Sequence, residues 1–306
     1  MNLTSKKVIF GTILFALFCA ANSSTAASKK VNTTDDRIVV ANVGFKTPES
    51  IEYYPAEDVY LVSNINGDGL SANGNGFISK IKPDGSVTNL KWLDGTKQNV
   101  LLNAPKGLAI QGNLLYVADI NQVHIFELPS GKQRKSITIK NSTFLNGITP
   151  GSGDFVYVTD SDLTPENNTE AYSSTDAIYK VSGNGKYKLI VKDKNMGHPN
   201  GIIADGKELT VVTFVSGELF RIDPQGKRHE LPKPPKGALD GLLRLKDGRL
   251  IMSSWAGSAL YILNKDNTYS ILADSLDAPA DLGFDPKRQR VLIPLFKQNQ
   301  LVFLPL

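Results

Sequence analysis

Pro199-Asn200-Gly201-Ile202-Ile203-Ala204-Asp205-Gly206-Lys207-Glu208-Leu209-Thr210-Val211-Val212-Thr213 is one unit of a pattern that the chain repeats. A polar residue stands in the middle of a short site, apolar and polar residues then alternate, and the unit closes on a β-rich run. The other sites are Pro48-Glu49-Ser50, Pro105-Lys106-Gly107, Leu145-Asn146-Gly147, Leu239-Asp240-Gly241 and Ala280-Asp281-Leu282, and their middle residues are 57, 40, 54, 40 and 41 residues apart, counting Asn200 in its place. From each middle residue to the end of its run is 13 to 15 residues in all six units, the runs ending at Asn64, Asp119, Asp160, Thr213, Ser254 and Leu295. Six occurrences in phase identify a repeat architecture. A period near 40 with several short strands per unit is the signature of a β-propeller blade.

The rest of the chain agrees. Apolar residues do not recur at i, i+3, i+4, i+7 over three turns anywhere beyond the N-terminal segment. Runs of Val, Ile, Tyr and Phe are instead separated by turn pairs such as Asp84-Gly85, Asn184-Gly185 and Asp247-Gly248. The sequence therefore predicts an all-β, six-bladed propeller over residues 36–306. Asp36-Arg37-Ile38-Val39-Val40-Ala41 precedes the first repeat and Gln300-Leu301-Val302-Phe303-Leu304-Pro305-Leu306 follows the last run. A propeller must close its ring to protect sheet edges, so the N-terminal strand is expected to add to the last blade.

The first residues read differently. Lys6-Lys7, an apolar stretch from Val8 to Ala21 and the small residues Ser23 to Ala27 have the order of a secretory signal peptide. The apolar stretch is short for a membrane span. We expect residues 1–27 to be a cleaved signal, residues 28–35 a flexible segment, and the product to be secreted or periplasmic with no membrane span. Cleavage would remove Cys19, the only cysteine, which excludes disulfides, thiolate ligands and a cysteine nucleophile. It would also remove Lys6 and Lys7 and so lower the formal net charge of +4 by two; without a basic cluster this is no footprint for nucleic acid.

In a propeller the innermost strand of each blade lines the central channel. A residue recurring near the start of that strand should face the channel mouth. Glu49, Lys106, Asn146, Asn200, Asp240 and Asp281 would then form a ring of three carboxylates, two amides and one ammonium. Like charges brought so close require a cation or a proton between them. Oxygen donors without sulfur or imidazole suit a hard divalent cation, with calcium favoured over zinc. Asn-Gly and Asp-Gly are also common turn formers, which is the plainer reading of any single site. Lys106 could neutralise Glu49 or Asp240, point away, or hold an anionic substrate.

The sites Pro48-Glu49, Asn146-Gly147, Pro199-Asn200-Gly201 and Asp240-Gly241 resemble those of the senescence marker protein/gluconolactonase family, itself related to paraoxonases and strictosidine synthase-like propellers. The resemblance spans residues 36–306. It implies one divalent cation in the channel, with Glu49, Asn146, Asn200 and Asp240 as ligands, and it places the family's base-like aspartate at Asp240. Asp281 is the second candidate base. His198, two residues before Asn200, is a candidate substrate-binding residue together with Lys106. Two departures stand out: Glu49-Ser50-Ile51 replaces the family's Glu-Gly-Pro, and the side chains that would grip a lactone are not identifiable. Leu102-Asn103-Ala104-Pro105-Lys106-Gly107-Leu108 also resembles NHL-type blades, which are often binding platforms.

Three readings follow. The first is a lactonase-type hydrolase acting on a small lactone or ester. The second is a non-catalytic propeller that binds a small ligand, glycan or protein partner. The third is carbon–carbon bond formation of the strictosidine synthase type. Gly-x-Ser-x-Gly is absent, and no G-x-G-x-x-G opens a helix, so serine hydrolase and dinucleotide chemistry have no support. The two longer steps locate insertions at roughly Gly67 to Gly76 and Asp162 to Thr175, expected on one rim as walls around the ligand.

Overall fold

Each β-rich run becomes the second strand of a blade, and it is buried on both faces because neighbouring blades cover it. Val59–Asn64 and Leu114–Asp119 have every residue buried, whereas outer strands such as Tyr187–Lys192 are largely exposed. The computed structural model describes residues 29–30, 36–163 and 175–306. Its strands form six sheets, each with a core of four antiparallel strands laid from the channel outward. The inner strands are Pro48–Tyr54, Pro105–Gln111, Leu145–Pro150, Pro199–Asp205, Leu239–Arg244 and the short Gly283–Asp285. This is a six-bladed β-propeller. The signal-peptide assignment and residues 31–35 lie outside the described residues. Lys29–Lys30 pairs in parallel with Ser270 and Ile271 on the outer strand of blade 5.

Apolar side chains between consecutive blades make the core. Tyr116, Ala118 and Ile125 of blade 2 pack on Val156, Val158 and Tyr179 of blade 3, and each interface repeats this arrangement with its own residues. Blades 6 and 1 add polar contacts to their apolar cluster. Tyr60 of blade 1 donates its hydroxyl to Asp285 of blade 6 and stacks edge-on against Phe303 with centroids 5.1 Å apart. Arg288 donates to both Asp58 (2.7 Å) and Asp285 (2.9 Å), so charged groups from both ends of the chain join this seam. Ile38–Val40 supplies the outermost strand of blade 6, Val39 lying opposite Val302 of strand Gln300–Pro305.

Near the axis the inner strands come so close that backbone touches backbone. A Cβ on Gly147 would lie 2.2 Å from the Asn200 carbonyl oxygen, and one on Gly201 would lie 2.3 Å from that of Asp240. The ring pairs Asn146-Gly147, Asn200-Gly201 and Asp240-Gly241 are therefore not turns. They open inner strands, and the glycine is needed because any side chain would collide with the next blade. We predict that Gly147→Ala destabilises the protein by about 1–3 kcal/mol, the usual penalty for overpacking. Thermal unfolding checks this; an unchanged midpoint would contradict the backbone-contact explanation.

Candidate metal centre at the channel mouth

The pairing of inner and second strands slips at the ring residues. In blade 3 the register jumps between Leu145 and Ile148, and in blade 4 between Pro199 and Ile202; blades 1, 2 and 5 jump at the equivalent places. Such a bulge leaves residues unpaired and re-aims the side chain. In blades 1, 3 and 5 a hydroxyl one residue before the end of the second strand meets freed backbone groups. Ser63 accepts from the Ser50 amide (2.8 Å) and Thr159 donates to the Asn200 carbonyl (2.9 Å). Ser253 accepts from the Gly241 amide (2.7 Å) and donates to the Ala280 carbonyl (2.9 Å). These bonds tie the bulges at Ser50, Asn200 and Gly241 to their own or the neighbouring blade and so fix the ring residues beside them.

Glu49, Asn146, Asn200 and Asp240 are 5%, 7%, 3% and 4% exposed. Each has one buried side-chain oxygen without a hydrogen-bond partner: Oε2 of Glu49 and Oδ1 of the other three. Asn146 donates its amide nitrogen to Ser161 Oγ (3.3 Å), which turns its oxygen away from that contact. The Asn200 amide helps hold the charge of Asp240, leaving its own oxygen unmet. A buried acceptor with no donor is costly, and four from one ring share the same remedy, a cation. The set contains two carboxylates and two amides, and no group of three or more Asp, Glu, His or Cys that could hold a metal occurs among the described residues. Neutral amide and anionic carboxylate oxygens are the donor types that suit a hard cation.

The electrostatics agree. Burial, then Asp240 and Asp281, push the Glu49 carboxyl well above its ordinary value, and Lys106 acts against them. Asp240 is raised by burial and by Asp281, opposed by the Trp255 indole and the Asn200 amide. Asp281 is pushed up to about 6 by burial although Ser50 donates to it at 2.7 Å. Further down the same inner strand, burial and Asp281 raise Glu52 to about 8. Burial thus raises the proton affinity of all four carboxyls.

Lys106 is 1% exposed and does not point its charge at Glu49. Its ammonium donates to the carbonyls of Gly69 (2.9 Å) and Ala104 (3.1 Å) and lies 4.1 Å above the Phe144 ring. Burial lowers it to about 8, against the attraction of Asp119 and Glu49. The first insertion therefore reaches the mouth through Gly69. The second falls mostly on residues 164–174, outside the described residues. His198 is 5% exposed, donates through Nδ1 to the Ser161 carbonyl, and its backbone N–H is held by Asp176 at 2.9 Å. Its left-handed φ of 61° is shared by Thr47 and Ala238 at the same phase, so that conformation belongs to the repeat. Two surface concavities, of about 560 and 240 Å³, lie around Ser130–Ser136 and, across blades 4 and 5, around Arg221 and Arg244, and contain no ring residue.

Sequence reasoning missed three aromatic residues. Phe214, Trp255 and Phe296 each follow the last residue of the second strand in blades 4, 5 and 6. Their amides donate to the carbonyls of His198, Ala238 and Ala278, just ahead of the inner strands. The phase of the repeat contained this signal, because the residues after the six runs are Ile65, Ile120, Ser161, Phe214, Trp255 and Phe296.

Two predictions follow from the ring. Calcium, titrated by calorimetry and thermal shift, binds saturably to the wild type and not to Glu49→Gln or Asp240→Asn, and it binds more tightly at pH 8 than at pH 6 because it competes with protons. In calcium-free protein the folded state keeps protons that the unfolded chain has released. This contribution to stability is complete below about pH 4 and is lost as pH rises through about 6 for Asp281; calcium offsets the loss. Second, Lys106→Met removes a positive charge that acts on Glu49 and tightens calcium binding, measured in the same titration. Weaker binding in a folded Lys106→Met protein would contradict this.

No protein-family profile and no curated protein sequence matches the chain. Solved structures do. A gluconolactonase from Xanthomonas campestris is 17% identical with a TM-score of 0.67, covering 89% of this chain and 91% of its own. A structure described as a putative gluconolactonase is 13% identical with a TM-score of 0.66, over 89% and 93%. A virginiamycin B lyase from Staphylococcus aureus, determined with quinupristin, is 16% identical with a TM-score of 0.57, over 89% and 100%. The structural neighbours thus include gluconolactonases, the group that the ring motifs resemble and with which this six-bladed propeller shares its fold.

Proposed function

We propose that the protein is an exported, divalent-cation-dependent lactonase-type hydrolase that opens a small lactone or ester at the channel mouth. The observation that carries this reading is the set of four unpartnered buried oxygens on Glu49, Asn146, Asn200 and Asp240. These residues would hold the cation, and calcium suits them best. When bound, such an ion polarises the substrate carbonyl and steadies the oxyanion that develops. The fold shared with gluconolactonase structures supports the reaction class, and the N-terminal pattern of residues 1–27 supports export.

The chain's own groups carry the proton. Asp240 takes a proton from the attacking water, whose oxygen bonds to the acyl carbon. The acyl carbon–alkoxy oxygen bond then breaks, and the proton passes to the departing alkoxide, giving the hydroxy acid. Asp281, oriented by the Ser50 hydroxyl at 2.7 Å, is the second carboxylate available for this work. Burial keeps bulk water from competing for these charges and strengthens them.

The test is a screen of lactones and esters with calcium-loaded protein, followed by variants. We expect Asp240→Asn to lose at least roughly 100-fold in kcat/KM, the usual scale for removing a general base. Asp281→Asn should keep calcium binding and lose less. Saturable ligand binding without turnover would instead support the non-catalytic propeller.

A further inference from the structure

Phe214, Trp255 and Phe296 come from three consecutive blades and form a continuous wall. The Phe214 and Trp255 centroids are 5.3 Å apart at 84°, and those of Trp255 and Phe296 are 5.1 Å apart at 50°. None of the three is fully buried. The wall adjoins the ring of polar residues: the Trp255 amide donates to the Ala238 carbonyl and the Phe214 amide to the His198 carbonyl, each two residues before a ring residue. Trp255 Nε1 is itself buried and lacks a hydrogen-bond partner of normal geometry. The equivalent positions in blades 1 to 3 are Ile65, Ile120 and Ser161, so the mouth has one aromatic side and one aliphatic and polar side.

We propose that this wall selects a neutral, flat apolar substituent on the substrate, making the protein specific for aryl-bearing lactones or esters rather than sugar lactones. This rests on the hydrolase reading above. Three observations choose the occupant. Phe214 meets Trp255 edge to face and Phe296 is tilted at 50° to it, which makes an angled cleft for an aromatic group rather than a flat platform for a sugar face. Phe214 and Phe296 offer a polyol no hydrogen-bond partner, so hydroxyl groups placed there would lose their water without replacement. A cationic ligand is disfavoured because Lys297 already lies 5.5 Å over the Trp255 ring. The Trp255 indole N–H is a donor beside Asp240, on the side of the wall where the polar acyl end of such a substrate would be held.

The experiment compares γ-phenyl-γ-butyrolactone, γ-butyrolactone and glucono-1,5-lactone with calcium-loaded protein. The phenyl compound should exceed the unsubstituted lactone in kcat/KM by roughly tenfold or more, the scale set by burying such a group. That ratio should fall toward one in Trp255→Leu and in the double variant Phe214→Leu/Phe296→Leu, with thermal unfolding confirming that each folds. A preference for the sugar lactone, or a ratio unchanged in both folded variants, overturns the proposal. If wild type turns over no lactone, the hydrolase reading fails and the wall is judged by binding alone. The chain has two tryptophans, Trp92 and Trp255, so a Trp92→Phe background reports Trp255 by fluorescence. Saturable change with the phenyl lactone and none with the sugar lactone, lost in Phe214→Leu/Phe296→Leu, supports the wall; no response overturns it.

Discussion

The closest constraint in this molecule is the approach of backbone to backbone where six inner strands meet. A side chain at Gly147 or Gly201 would strike the carbonyl of the next blade, at 2.2 and 2.3 Å. The strand must also bulge there, which removes ladder hydrogen bonds that hydroxyls such as Thr159 and Ser253 replace. The residue just before each glycine is consequently held on an unyielding frame near the mouth. The arrangement that packs the propeller also delivers its polar ring.

That delivery has an electrostatic cost. Burial raises the proton affinity of Glu49, Asp240 and Asp281, Asp281 adds to the effect on Asp240, and both aspartates add to it on Glu49. Lys106 relieves part of it from the side, since its ammonium is occupied by two carbonyls and the Phe144 ring. It lowers the Glu49 pKa without satisfying Glu49 Oε2. A lysine placed to bond Glu49 directly would fill the position a cation could take; one held aside moderates the charge and leaves the oxygen open.

The repeat makes the backbone of the six blades equivalent, yet the side chains divide the mouth into two halves. Blades 4 to 6 contribute aromatic rings after the second strand, while blades 1 to 3 contribute Ile65, Ile120 and Ser161. Binding sites generally combine apolar walls with a few convergent polar groups, and this mouth presents both. The first insertion joins it through the Gly69 carbonyl that holds Lys106.

The sequence by itself determined the propeller, because period and phase are properties of linear order: six sites, six runs and a constant offset imply six equivalent blades. It also named the ring, since a residue recurring at one phase must recur at one place in space. Side-chain direction was not legible. Asn146-Gly147 and Asp240-Gly241 could equally be turns until the next blade's backbone is seen against each glycine. Lys106 shares the phase of Glu49 and Asp240, but its ammonium is turned by Gly69 and Ala104, partners reached through a loop and a strand start. The aromatic wall was present in the phase of the repeat, but only packing shows Phe214, Trp255 and Phe296 as neighbours, 40 or more residues apart in the chain and about 5 Å apart in space. Tertiary structure decided these points because long-range contacts, unlike periodicity, depend on where the blades bring side chains together.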